Sequence, residues 1–284
     1  MTYRNHFLSN LSPGEAAVFK PYLVEVTLRP GQHLHRSGEP IEQVYFPHSG
    51  IVRLAVAISA RALIQAAIIG CEGVIGGVAA LGQEEAFSDA TVQVGGIASR
   101  MAVDKFRSTL RQSDEHVRDA VMQVELFCMA QAQQTAACNA LHSAEARICR
   151  TLLEMHDRMD GKHIPLTQAA LAASLGIQRT TVTLISSKLQ KLGMLLCQRG
   201  HLHLVDRSAM ERRSCECYGQ VHGRFEQLLS PPKRMASLAR ESAGLAGNGG
   251  APSSSQDKPR PHPSIAGPSI AATASAFNRS RVTG

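Results

Sequence analysis

One stretch concentrates the side chains suited to meet a polyanion. Gln178, Arg179 and Thr180 open it, Thr181, Thr183 and Ser187 follow, and Lys188 and Lys191 close it. Thr180, Leu184, Ser187 and Lys191 recur at steps of four, three and four, which places them on one face of a helix. Guanidinium and hydroxyl groups can read base edges in a major groove, and the methyl-bearing Thr180 and Leu184 can meet a thymine methyl. A few residues on, Arg199 and His201 flank Gly200 in a tight turn, where cationic groups can meet phosphates.

Two other groupings could hold a metal. His33-x-His35 with Glu39 has the spacing of cupin metal ligands, and alternation along a strand would put both imidazoles on one side. The cupin pattern wants glycines where this chain has Thr27 and Phe46, and its second motif is not evident, so these read as surface histidines near a turn. Cys215-x-Cys217 supplies only two ligands and is a half-site at most. No metal and no cofactor is therefore expected. No P-loop, serine-nucleophile motif or dinucleotide-binding glycine set occurs, so the chain is not expected to be an enzyme.

The polyanion-facing stretch needs elements that hold it. Thr167 can cap a helix over 168–175, Gly176 supplies a residue able to take positive φ, and a second helix is predicted over 178–192. Ala172 is small where the two helices would cross. Val182, Ile185, Leu189 and Leu192 form the inward stripe of the second helix. Strands over 194–198 and 201–205 about Arg199-Gly200 complete a winged helix-turn-helix. Ser143 can cap the preceding helix, whose core stripe is Ile148, Leu152, Met155 and Met159.

Charge agrees with that placement. The chain has 284 residues and a net charge of +7. Residues 143–217 carry 11 Lys/Arg against 7 Asp/Glu, whereas residues 1–142 carry 11 against 13. Excess positive charge thus lies with the helix-turn-helix, as binding to double-stranded DNA requires. Aromatics are 4% and Trp is absent, which disfavours stacking platforms for single strands. Seven cysteines, an odd count, suggest reduced thiols and the cytoplasm. No signal peptide core and no 18-residue apolar run is present, so no membrane partner is expected.

Upstream, the period changes from helical to alternating. A helical lead-in over 4–22 precedes short strands at 24–28, 32–35, 43–46, 51–58, 63–69, 91–94 and 97–101, separated by Gly, Pro and Ser turns. That pattern predicts a jelly roll or β-roll. A helical turn at 103–110 leads to a long helix over 114–141. On it, Val117, Val121, Val124, Cys128, Gln131, Thr135 and Cys138 make a heptad seam, read as a dimer interface. The fold class is α+β. Expected domains are a β-roll sensor over 1–112, a dimerisation helix over 113–142 and a winged helix-turn-helix over 143–218. A C-terminal extension over 219–284 is expected to be disordered from about 231, where Ser, Pro, Ala and Gly dominate.

A β-roll, a long helix and a winged helix in this order resemble the Crp/Fnr family of bacterial transcription regulators. The strongest part is L-T-Q-A-A-L-A-A-S-L-G-I-Q-R-T-T-V-T-L, and P-G-Q-H-L-H-R-S-G-E-P-I-E-Q-V-Y-F-P-H-S-G-I-V looks like the start of the family's cyclic-nucleotide-binding-type roll. The resemblance implies a homodimer on a palindromic operator, with RNA polymerase as a partner. It also implies that Arg179 matches the family's first base-reading arginine. Thr180 stands where Glu is common and Leu184 where a second Arg is common. Glu72-Gly73-Val74-Ile75-Gly76 resembles the Glu-containing segment that binds ribose, and the phosphate-binding Arg position falls near Ala86-Phe87-Ser88, with no Arg. Glu72, Gly73 and Ser88 are thus the effector-pocket candidates of a degenerate roll. Glu84, Glu85 and Asp89 are acidic where a phosphate diester needs a cation, so cAMP is not expected to bind by the usual contacts and the effector is unknown. The first cysteine is Cys71, so the N-terminal iron–sulfur cluster of some members is not expected. Alternatives are a β-roll small-molecule sensor acting mainly by ligand binding and a cupin-like metalloenzyme.

Overall fold

Apolar alternation after Val24 produces two antiparallel sheets laid face to face. The computed structural model describes residues 4–59, 62–159, 163–198 and 200–230. The expected tail from 231 and Arg199 lie outside the described residues. Helices α1 (His6–Ser9) and α2 (Pro13–Phe19) lead in. At α2 the Ser12 hydroxyl accepts from Glu15 N–H while the Ser12 N–H donates to the Glu15 carboxylate, a reciprocal cap. Strands β1 (Val24–Leu28), β2 (His33–His35), β3 (Gln43–Pro47), β4 (Ile51–Ser59), β5 (Ala62–Ile69), β6 (Asp89–Val94) and β7 (Gly96–Ala102) follow. Their orders are β1-β7-β3 in one sheet and β2-β6-β4-β5 in the other. Between the sheets, Leu28, Tyr45 and Ala98 meet Val52, Ile69 and Val92. Beside them Phe7, Phe19, Phe46 and Phe106 cluster, with Phe7 stacked on Phe46 at 5.6 Å and Phe106 edge-on to Phe46 at 5.7 Å.

Helix α3 (Val103–Gln112) joins the roll to α4 (Glu115–Leu141), which has 27 residues. Here the structure corrects the seam. Val117 and Val121 pack into the Phe cluster, and Val124 and Cys128 into the intersheet core. Gln131 exchanges hydrogen bonds of 3.3 and 3.1 Å with the Ile68 backbone, and Thr135 accepts from Arg150 at 2.9 Å. Cys138 lies against Cys215 and Cys217. The seam therefore faces its own chain, because a heptad pattern reports an apolar stripe but not which surface covers it. On the far side of α4, Met122, Leu126, Met129, Gln133, Ala136 and Ala140 are all exposed, again at alternating steps of four and three.

After α4 come α5 (Ala144–His156), β8 (His163–Ile164), α6 (Gln168–Leu175), α7 (Arg179–Lys191), β9 (Leu195–Gln198), β10 (His201–Leu204), α8 (Arg207–Arg213) and α9 (Cys217–Leu229). Ser143 caps α5 by accepting from Ala146 N–H. The wing is a three-stranded sheet, β8-β10-β9. Strand β8 and helices α8 and α9 go beyond the expected elements. Helix α9 occupies part of the stretch read as an extension from 219, and Val221 and Phe225 bury themselves against Phe127 of α4. One core runs from roll to wing: Ile51, Ile68 and Val94 share a cluster with Ile148, Leu152, Leu171 and Leu202.

Candidate nucleic-acid interface

Local chemistry holds α6 and α7 at a fixed angle. Thr167 accepts from Ala170 N–H at 3.0 Å, starting α6 where expected. Gly176 ends it at φ +65°, a left-handed conformation that favours glycine, and a Cβ there would stand 2.6 Å from Ile64 Cδ1, so the end of that side chain would have to move aside. Ala172 is buried at the crossing, and the Thr183 hydroxyl donates to Gln168 Oε1 at 2.9 Å, tying the helices together. Gln178 is the N-cap of α7 with no side-chain capping bond.

Helix α7 has two faces. Val182, Ser186 and Leu189 are buried and Ile185 is half-buried. Leu192, expected on that stripe, is instead exposed, because the helix ends at Lys191 and Leu192 leaves its register as the cap. Outward stand Arg179, Thr180, Thr183, Leu184, Ser187 and Lys191, with Thr181 half-buried at the edge. Leu184 is 73% exposed, a large aliphatic side chain with nothing among the described residues to cover it. Lys188 is exposed but committed: its Nζ is 2.6 Å from Glu145, which also holds Arg213 at 2.6 Å. The Lys188 hydrogen bond, with Arg213 beside it, holds the Glu145 carboxyl below its usual range. Lys188 is thus partly neutralised where the sequence suggested an open cation.

A groove of about 250 Å³ lies between the start of α6, Arg179 and the wing residues Gln198, Gly200 and His201. Its floor includes Thr167 and Gln168 at the N-terminal end of α6, whose backbone N–H groups favour an anion. His201 is exposed at the start of β10. This surface can accept a phosphate backbone beside a helix presented to base edges.

Each effector-pocket candidate has a fixed place in the roll. Glu72 is engaged by its own chain. Its carboxylate is 2.6 Å from Arg158 Nε and accepts from Gly70 N–H at 2.9 Å, with both ionic side chains almost wholly buried. Arg158 also donates to the Glu154 carbonyl and lies 4.7 Å over the Phe225 ring. Gly73 is buried, and a Cβ on it would meet Ile69 and Val124 at 2.7 and 3.2 Å. Ser88 is half-buried just before β6, and no hydrogen bond or ion pair joins it to Glu72 among the described residues. Nothing in the sequence marked Arg158 as the partner of Glu72, since 86 residues separate them. Deeper in the roll, a Cβ on Gly77 would stand 3.0 Å from Glu125 Oε1. Burial raises the Glu125 carboxyl to about 7 despite a hydrogen bond from the Val78 backbone. At β2, burial lowers His35 to about 4, and His33, His35 and Glu39 are not among the side-chain groups whose ligand atoms converge.

Two family models match the chain and together cover more than half of it. Residues 25–113 match the cyclic nucleotide-binding domain and residues 146–213 the Crp-like helix-turn-helix domain. The chain has the architecture of a Crp/Fnr-type transcriptional regulator. Similar solved folds include FixK2 from Bradyrhizobium japonicum, at 20% identity and TM-score 0.58, covering 68% of this chain and 98% of that one. A CRP/FNR-family transcriptional regulator from Thermus thermophilus gives 21% identity and TM-score 0.55, covering 67% and 98%. CLP from Xanthomonas campestris, described as a c-di-GMP-responsive global regulator, gives 16% and 0.56, covering 69% and 100%. At these identities the likeness is one of fold. No curated protein matches the sequence.

In this Crp/Fnr-type chain the cyclic-nucleotide-binding match spans β1 to α3, and the Crp-like match spans α5 to α8. All of α4 and all of α9 lie outside both. Among the similar folds, those from Thermus thermophilus and Eubacterium rectale are described as transcriptional regulators of the Crp/Fnr family. Among the described residues no helix is long and apolar enough to cross a membrane.

Proposed function

We propose that this chain is a homodimeric, non-enzymatic transcription regulator that reads a palindromic operator in cytoplasmic double-stranded DNA through α7. The observation that carries this is the division of α7. Arg179, Thr180 and Leu184 project outward while Val182, Ser186 and Leu189 anchor the opposite side. Arg179, at the N-terminal end, is positioned to take a guanine edge, and Thr180 and Leu184 to take a thymine methyl. Gln178, Thr181, Thr183 and Ser187 supply further hydrogen-bonding groups. Lys191, His201 and Arg199, the last outside the described residues, supply phosphate contacts. The outer run of α4 provides the two-fold surface that a palindrome asks for. Regulation through RNA polymerase belongs to the same proposal, as do the boundaries at 112, 142 and 218.

The test is selection of bound DNA from a random pool, followed by binding of the Arg179→Ala variant. With thermal melting matched to wild type, Arg179→Ala is expected to weaken specific binding about tenfold or more, a good bidentate contact giving about 1–3 kcal/mol. Preference should relax at one base pair per half-site. An Arg179→Ala variant with full affinity and unchanged base preference overturns the assignment of α7 as the reading helix.

A further inference from the structure

Cys215-x-Cys217 offers two metal ligands in sequence, and the fold brings two more to it. Cys138 and His142 stand one turn apart at the C-terminal end of α4, while Cys215 and Cys217 flank the start of α9. The sulfurs of the three cysteines and a ring nitrogen of His142 all lie within 4.8 Å of one another. Cys138 Sγ is 3.5 Å from Cys215 Sγ, and Cys217 Sγ is 3.5 Å from His142 Nδ1. We propose that Cys138, His142, Cys215 and Cys217 form a tetrahedral Cys3His site for zinc. A zinc–sulfur bond of about 2.3 Å sets a tetrahedral edge of about 3.8 Å, so the donors reach it by side-chain adjustment. Three thiolates and one imidazole are the soft and borderline donors that a structural zinc site uses.

The surroundings fit an occupied site. His142 Nε2 donates to Glu216 Oε1 at 3.1 Å, which fixes the tautomer whose Nδ1 lone pair points to the cluster. Gln134 Nε2 donates to Cys217 Sγ at 3.0 Å. Three thiolates around a divalent cation leave one net negative charge. Arg150, 4% exposed, interacts electrostatically with all three cysteines. Among the described residues its Nη1 has no hydrogen-bond partner, and its Nε has none either, standing 3.5 Å from Glu154. That buried guanidinium offsets the charge of a thiolate complex. Zinc binds thiolates, so it would displace the thiol protons into solvent, and its affinity would rise with pH.

The position gives the ion a consequence. It would join the last turn of α4 to the start of α9, across the His142-Ser143 junction that precedes α5. Zinc would thus fix the winged helix against the long helix. None of these ligands lies on α7, so the site stands or falls separately from the proposed DNA reading.

The experiment uses the full chain. Metal content after exhaustive dialysis is expected to be one zinc per chain, and cobalt(II) added to chelator-stripped protein should give thiolate charge-transfer and intense tetrahedral visible bands. Cys217→Ser should abolish both signals. Should Cys217→Ser fail to fold, Glu216→Gln remains informative, because that carboxylate is 78% exposed. Glu216→Gln is expected to lower zinc affinity about 10–100-fold while leaving the circular dichroism of the chain unchanged. Three results would each overturn the site: wild-type protein retaining no zinc, a cobalt spectrum without thiolate bands, or equal zinc affinity in wild type and Glu216→Gln. So would a Cys138–Cys215 disulfide forming in zinc-loaded protein, since ligated thiolates resist it.

Discussion

Glu72 shows how a residue type can point to one chemistry while its neighbours impose another. In the resemblance to cyclic-nucleotide-binding rolls it is a ribose ligand; in the fold it neutralises Arg158 at 2.6 Å, with side chains 0% and 1% exposed. A pair that deep is costly to break, because the surviving charge has no water to turn to. Glu72→Gln is expected to lose about 3–5 kcal/mol of unfolding free energy in denaturant titration. Adding Arg158→Met should restore much of that loss by removing the orphaned cation. If Glu72→Gln instead leaves stability intact and alters ligand binding alone, Glu72 is a pocket residue after all. Arg158 also stacks near Phe225, so the double variant tests charge and ring contact together.

Helix α4 presents two unlike faces. Its inner face, from Val117 to Cys138, is spent on its own chain, so a charge at Val121 would be a folding lesion. Its outer face exposes Met122, Leu126 and Met129 at 45%, 45% and 52%, then narrows to Gln133, Ala136 and Ala140. In the proposed dimer, small residues toward the C-terminal end would let two helices approach closely, and the larger ones would fill the wider end. Leu126→Glu with Met129→Glu is expected to convert the dimer to monomer in sedimentation while melting stays cooperative. Operator affinity should fall with it, since each monomer holds one half-site. A double variant that sediments as a dimer places the two-fold elsewhere.

Across the whole molecule, the roll and the winged helix share a core rather than touching at a point. Ser174 of α6 accepts from Arg53 at 3.2 Å and from Gln93 at 3.0 Å, and Ile64 fills the space at Gly176. These contacts join the roll directly to the helix preceding α7. The roll nevertheless lacks a cation at Ala86-Phe87-Ser88, and its Glu72 is already paired. DNA binding is accordingly expected without added cyclic nucleotide. Calorimetry showing micromolar cAMP binding, with a matching rise in operator affinity, would contradict that expectation.

Periodicity and capping made most elements legible in the sequence. Gln168–Leu175 appears with its expected limits, Ser143 and Thr167 cap as read, and the strands of the roll fall within a residue or two of their turn signals. These features depend on near neighbours, where spacing and turn chemistry suffice. Which way α4 faces did not follow, because both of its sides carry a heptad run and only the roll decides which is covered. The partners of Glu72 and Cys215-x-Cys217 did not follow either. They lie 86 and more than 70 residues away in the chain, and contacts of that range are set when α5 and α9 close over α4. The sequence by itself determined a roll, a long helix and a DNA-reading fold. Only the tertiary structure decided which polar residues face solvent, which are paired in the core, and that Cys138, His142, Cys215 and Cys217 converge.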